Sequence, residues 1–302
     1  MPDATRPAWL AAVGRAIPPW TLAVAAMLSV QLGSALSVGL IDDVGAGGTA
    51  WLRLTAGALI FLLIARPPLR SIRRADLLPL LGLGVATGLM TIAFLAAIER
   101  IPLATAVAIE FLGPLTVAAV HSRRALALVW PIVALAGVVL LTEPWNAGFD
   151  PIGIGWAALA AAGWGTYIVL TQRVGDRFTG IRALSITIPI AALTAAIVGI
   201  PQAAGHITLE VVAVAIGLGL LLPVIPFALE MLALRRMNPN AFGTLMAIEP
   251  AIGLLLGLLV LAQLPSALQI LGIALVVIAG AAAQWSGQRT GQRPSRGAQG
   301  GT

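Results

Sequence analysis

The sequence predicts an all-α membrane protein: ten transmembrane helices arranged as two inverted five-helix repeats. Three observations carry that expectation. First, the composition does not suit water. Of 302 residues, 59% are hydrophobic and only 10% charged, with a mean hydropathy of +0.98, whereas a soluble domain is about one quarter charged. Second, the chain divides into ten apolar stretches near the ~20 residues that span a bilayer, without the period-two alternation of an outer-membrane barrel. Third, the later five stretches repeat short motifs of the earlier five in the same order.

A polar leader, residues 1–18, carries Arg6 and Arg15 and shows no convincing cleavage site. The first stretch, 19–40, is longer than a signal-peptide core and has Gln31 and Ser34 in its middle. The second, 47–65, carries Arg53 about two turns in and ends before Pro67-Pro68. The third, 77–98, includes Gly84-x-x-x-Gly88, a pattern that lets helices approach closely. Ile101-Pro102 separates it from the fourth, 102–121, which has Glu110 near its centre. The fifth, 125–142, ends at Glu143-Pro144. The sixth, 152–171, follows Asp150-Pro151 and carries Trp164, Thr166 and Tyr167. The seventh is 182–200. The eighth, 209–234, includes Pro223, Pro226 and Glu230. Asn238-Pro239 opens the ninth, 239–261, with Glu249 near its centre and Gly253-x-x-x-Gly257 after it. The tenth is 265–284. These group as a first repeat at 19–146 and a second at 147–286. The Gly/Arg/Gln-rich segment 287–302 reads as a disordered cytoplasmic tail.

Missing residue types exclude several chemistries. There is no cysteine, so no disulfide, iron–sulfur cluster or thiolate metal site. All 18 basic residues are arginine, which removes the P-loop lysine and any Schiff base. His121 and His206 both fall in polar connections, so neither an intramembrane metal site nor a Ser–His pair is expected, and no cofactor is implied. A pI near 11.5 would suit nucleic acid, but topology explains the arginines better. With the N-terminus inside, fourteen of the eighteen fall in inside segments, while Arg100, Arg235 and Arg236 are assigned outside and Arg53 lies within a helix. That bias predicts a multi-pass inner-membrane protein with both termini cytoplasmic.

The internal repeat rests on three echoes. Gly82-Leu83-Gly84 matches Gly217-Leu218-Gly219. Ala97-Ile98-Glu99-Arg100 matches Ala233-Leu234-Arg235-Arg236. Ala108-Ile109-Glu110 matches Ala247-Ile248-Glu249. Five helices per half is an odd number, so the second half enters the membrane upside down, which is a common plan of secondary transporters.

The informative residues are those that do not belong in lipid. Glu110 and Glu249 are repeat-mates, and a charge at a helix centre costs about 3 kcal/mol even on the lenient scale. Their symmetric placement points to a polar feature at the midplane, where transporter sites lie. A carboxyl there could carry a proton. The competing reading is a protonated Glu bonded to backbone carbonyls freed by Pro114 and Pro250. Glu230 reads more simply as a residue near the headgroups, while the Pro223/Pro226 kink beside it reads as functional. Arg53 has three readings: it snorkels outward, neutralises a Glu, or holds a substrate carboxylate. Trp164, unlike most other tryptophans, lies away from the helix ends; it is a cavity wall or core packing. Tyr167, the only tyrosine, stands beside it.

Ala106-Val107-Ala108-Ile109-Glu110-Phe111-Leu112-Gly113-Pro114-Leu115 resembles the EamA-type drug/metabolite transporter superfamily. So do Leu229 to Arg236 and the run Phe242-Gly243-Thr244-Leu245-Met246-Ala247-Ile248-Glu249-Pro250-Ala251, and all three are closest to its threonine/homoserine exporter branch. The resemblance covers about residues 20–284. It implies a ten-helix fold with a central cavity and export of small amino acids or related metabolites, driven by protons. Glu110, Glu249, Gln31 and Arg53 match motif positions. Three departures stand out: Val38 where the branch often has lysine, Asp42 and Asp43 in the loop that follows, and Ala262-Gln263 where Gly-Glu is common. The expected partners are a small-molecule substrate, H+ and the lipid bilayer, with no nucleic acid; the chain reads as a monomer or homodimer. The rival readings are an exporter of drugs or aromatic metabolites, an integral-membrane enzyme, which lacks a visible nucleophile or His/Asp cluster, and a scaffold.

Overall fold

The computed structural model describes residues 18–65, 72–121, 128–146, 148–175, 181–237 and 239–288. All but the last residue of the expected leader, the tail beyond Gln288, and Arg66, Arg70, Arg123, Arg124 and Arg177 lie outside these residues. Among the described residues every regular element is helical. Eight helical stretches are long and apolar enough to cross a membrane, and Val129–Thr142 is a shorter apolar helix.

Helix α1 (Pro19–Ile64) is 46 residues long. Straight, it would reach ~70 Å, more than twice the ~30 Å hydrocarbon core. It is instead a hairpin. Gly45 has φ 74° and ψ 167°, a conformation essentially reserved for glycine, and the chain reverses there. Ser37 and Arg53, eight residues to either side, are hydrogen-bonded at 3.1 Å; a continuous helix would hold them ~24 Å apart. The loop expected at 41–46 is therefore a single residue, because the first leg stays helical through the exposed Asp42 and Asp43. The second leg begins directly, since its amides at Gly47 and Gly48 donate to Gln202 Oε1 at 2.8 and 3.3 Å. Orphan helix N–H groups satisfied in this way need no loop.

Helix α2 (Arg74–Ile98) packs on α6 (Pro151–Gly175) and α7 (Ile181–Ala203). A Cβ on Gly84 would lie 2.5 Å from Ile190 Cβ, and one on Gly88 2.7 Å from the Ala191 carbonyl oxygen. The Gly84/Gly88 pair thus packs helices within the chain. Helices α3 (Leu103–Glu110) and α4 (Leu112–His121) form one apolar span interrupted at Phe111. Pro114 lacks the N–H that the Glu110 carbonyl would otherwise receive. His121 ends α4 rather than lying in a connection. Helix α5 (Val129–Thr142) pairs with α12 (Ala267–Gln288).

Helices α8 (Leu209–Gly219) and α9 (Ile225–Leu234) are joined by a π-helical turn, Leu220–Val224. Within it Leu222 is extended (φ −157°, ψ 111°) before a cis Pro223, as a residue preceding proline prefers. Ser29 Oγ donates to the freed Leu221 carbonyl at 2.8 Å. The kink expected from Pro223 and Pro226 is therefore present. Helices α10 (Pro239–Met246) and α11 (Glu249–Leu261) break at Ala247 and Ile248, whose amides bond three residues back. Each of the two central glutamates thus sits at a helix interruption, Glu249 next to Pro250 and Glu110 one turn before Pro114.

Polar contacts also join the connections at one end of the bundle. Arg100 pairs with Asp150 at 3.0 Å, Leu103 N–H donates to Gln263 Oε1 at 3.0 Å, and Ser266 Oγ donates to Glu143 Oε1 at 2.7 Å. Asp150 also accepts from the Ile152 and Gly153 amides. The Gly153 N–H and the Arg100 guanidinium hold its carboxyl below the ordinary aspartate range.

Candidate functional site

The first leg of α1, together with α3 and α11, builds the centre of the site. Gln31 and Glu249 are both buried, at 2% and 5% exposure. Gln31 Nε2 donates to Glu249 Oε1 at 3.2 Å, joining residues 218 positions apart in sequence. Gly253, one turn after Glu249, makes room for this contact: a Cβ there would sit 3.2 Å from Val107 Cγ2 and 3.6 Å from Gln31 Oε1.

The second leg of α1 brings Arg53, which is 2% exposed. It does not snorkel. Its Nη1 donates to Ser37 Oγ at 3.1 Å, and Ser37 Oγ donates to the Gly33 carbonyl at 2.6 Å. Glu110, half-buried at the end of α3, lies within Coulombic reach of both Arg53 and Glu249. Glu249 is in turn within reach of Glu230, and Glu230 of Tyr167. Tyr167 itself packs against the Leu80, Leu83 and Ile186 cluster.

Six of the seven expected residues thus fall within hydrogen-bonding or Coulombic range of another: Gln31, Arg53, Glu110 and Glu249 at the centre, and Glu230 and Tyr167 beyond Glu249. Trp164 joins only through packing. Its ring meets Phe111, the neighbour of Glu110, edge-on with centroids 6.2 Å apart, and it packs against the main core. Thr166 points elsewhere, into an apolar groove of about 650 Å³ between α4 and α6 that none of the central polar residues lines.

Sequence reasoning missed Ser37 and Gln202, and it noted Gln263 only as a departure from the family pattern, without its capping role. Serine is unremarkable in a membrane helix, and Gln202 lies at a helix end, where a polar residue raises no alarm. The departure Ala262-Gln263 has a structural role here. Ala262 closes α11 in the left-handed region at φ 53°, and Gln263 caps the start of α3.

The arrangement places ionisable side chains from distant helices in one buried cluster, as an ion or substrate pathway requires. Comparison with known proteins agrees with this architecture. Residues 151–282 match the model of the EamA-like transporter family. The chain is 34% identical over 290 residues to the threonine/homoserine exporter RhtA of Escherichia coli (strain K12), covering 92% of this chain and 93% of that protein. It is 33% identical over 291 residues to the exporter of the same name in Salmonella typhimurium (strain LT2), with the same coverage of 92% and 93%. A crystal structure of a protein 21% identical superposes with a TM-score of 0.61 over 90% of this chain and 99% of that one, so the fold is shared. Identity at this level along nearly the whole chain establishes that the protein belongs to the EamA-like transporter family.

Proposed function

We propose that the chain exports small amino acids of the threonine/homoserine type, or closely related metabolites, across the inner membrane by proton-coupled alternating access. The observation that carries this reading is the central cluster: Gln31 bonded to Glu249, with Glu110 and Arg53 in electrostatic range. A solvent-free scaffold gains nothing from two carboxyls and a guanidinium in one place, whereas a site for charged cargo needs them. The substrate class is supported by the threonine/homoserine exporters that match 92% of the chain.

Alternating access rests on two repeats, and the packing supports that plan. Counting the two legs of α1 separately and including α5 gives ten spans. Exchanging the halves maps the contact of α2 with α6 onto that of α8–α9 with the first leg of α1. The second leg with α7, α3 with α11, and α5 with α12 each pair a span with its own counterpart. Orientation follows from the same count. The Arg235–Arg236 turn follows the eighth span, so it lies on the side of the N-terminus and not on the outside as first assigned. Sixteen of eighteen arginines then fall on that side, with Arg100 outside and Arg53 in the membrane, which supports cytoplasmic termini.

In this reading Glu110 and Glu249 bracket the substrate, and protonation of one weakens its hold on the cargo. Purified protein in proteoliposomes, loaded with labelled threonine or homoserine, tests it. Efflux above empty liposomes that rises with an imposed pH gradient is expected, and Glu110→Gln with Glu249→Gln is expected to abolish the gradient dependence. No flux of either amino acid overturns the substrate class. Gradient dependence that survives in the double variant overturns the coupling.

A further inference from the structure

We propose that the central cluster is a two-pole clamp for a zwitterion, in which Gln31 Oε1 and Glu249 Oε2 receive the substrate's ammonium while Arg53 Nε, held from behind by Ser37, donates to its carboxylate. This rests on the export reading and adds to it which pole goes where.

The inference starts from unmatched atoms. Gln31 Oε1, Glu249 Oε2 and Arg53 Nε are buried side-chain atoms with no hydrogen-bond partner. Buried polar groups are nearly always paired, because leaving one unpaired is expensive. Three such atoms on residues of one cluster are more than incidental, and they sort by chemistry. Two are acceptors and belong to residues already bonded to each other: Gln31 Nε2 is committed to Glu249 Oε1 at 3.2 Å, which leaves the amide oxygen and the second carboxyl oxygen of the same bonded pair without a donor. An ammonium supplies three donors and no acceptor. The third atom is a donor. The Ser37 hydroxyl proton is committed to the Gly33 carbonyl at 2.6 Å, so its oxygen is left to accept from Arg53 Nη1 at 3.1 Å. That fixes one corner of the guanidinium and leaves its Nε edge, the geometry that carboxylates accept best. Glu110 lies within Coulombic reach of both Arg53 and Glu249, so its charge acts on both poles.

Of the other hydroxyls among the described residues, that of Thr171 meets Tyr167 and that of Thr49 can turn onto a carbonyl of its own helix; neither has a part in this assignment. The apolar groove between α4 and α6 offers neither pole.

Competition against labelled threonine in proteoliposomes tests the clamp. The probes are threonine methyl ester, which keeps the ammonium but has no carboxylate, and 2,3-dihydroxybutanoate, which keeps the carboxylate but has no ammonium. Against the wild type each is expected to compete about thirty-fold more weakly than threonine or worse, the effect of losing one partner of a buried charged contact. Arg53→Gln should bring the threonine-to-ester ratio towards one while 2,3-dihydroxybutanoate stays poor. Gln31→Leu should do the converse. A wild type that takes the ester as well as threonine overturns the clamp without any variant, and so does an Arg53→Gln protein that keeps the wild-type ratio. Wild-type protein that moves no amino acid fails the export reading and the clamp together. Transport with unchanged ratios in the variants fails the clamp alone.

Discussion

Ser37 would draw no notice in a membrane sequence, yet it holds the Arg53 guanidinium inside the bundle centre. Its oxygen accepts from Arg53 and its proton goes to Gly33, so alanine there would leave a guanidinium corner buried and unmatched. A buried donor stripped of its partner costs about 1–3 kcal/mol. Ser37→Ala is therefore expected to lower the thermal unfolding midpoint of the purified protein, and Ser37→Thr, which restores a hydroxyl, to recover part of the loss. Identical melting of Ser37→Ala and wild type would show that the bond contributes nothing. Gln31, Arg53, Glu110 and Glu249 were legible from sequence because each breaks the rule that lipid excludes polar groups. Serine breaks no rule, since its hydroxyl can return to its own helix. The part of its role that matters, acceptance across a chain reversal, is a tertiary fact.

At the scale of elements, prolines were good guides. Pro114, Pro223 and Pro250 each mark an interruption, because a missing N–H is a local property that the sequence states outright. Gly45 is the opposite case. It is one of 33 glycines, and nothing local distinguishes it from its neighbours Gly47 and Gly48. What selects it is Gln202, far along the chain, which caps the second leg and lets the reversal shrink to one residue. Alanine at position 45 would meet two obstacles. Its φ of 74° with ψ 167° is strained for any residue with a Cβ, and that Cβ would lie 2.8 Å from Gln202 Oε1. Gly45→Ala is expected to destabilise the protein by about 1–3 kcal/mol, read as a drop in midpoint and in monodisperse yield after solubilisation. Gly39→Ala, where a Cβ would meet nothing within 4 Å, is the control. Equal behaviour of the two variants would mean that the reversal does not depend on glycine.

For the molecule as a whole, the polar contacts at one end share a pattern: Gly47 with Gln202, Leu103 with Gln263, Arg100 with Asp150 and Glu143 with Ser266 each join residues of the first half to the second. In the ten-span reading these ends face outward, and opening on that side would part the contacts. The Arg100–Asp150 pair holds steady against pH. The Asp150 carboxyl sits below its ordinary range, because of the Gly153 N–H first and Arg100 after it. Its contribution is thus complete above the ordinary aspartate pKa of about 4, and it is lost only as pH falls through the lowered value. The Gln202 and Gln263 caps do not titrate at all. The chain has no cysteine, so a single introduced thiol reports opening without background. Thr105, 3% exposed and lining the same small cavity as Gln263, is the place for it. In intact cells Thr105→Cys is expected to react slowly with a membrane-impermeant maleimide. Adding Gln263→Ala removes a bond worth about 0.5–1.5 kcal/mol net, so the rate should rise about two- to tenfold, and saturating threonine should alter that rate if binding and opening share one equilibrium. An unchanged rate in the double variant would mean that the Gln263 cap holds α3 in place without restraining the outer face.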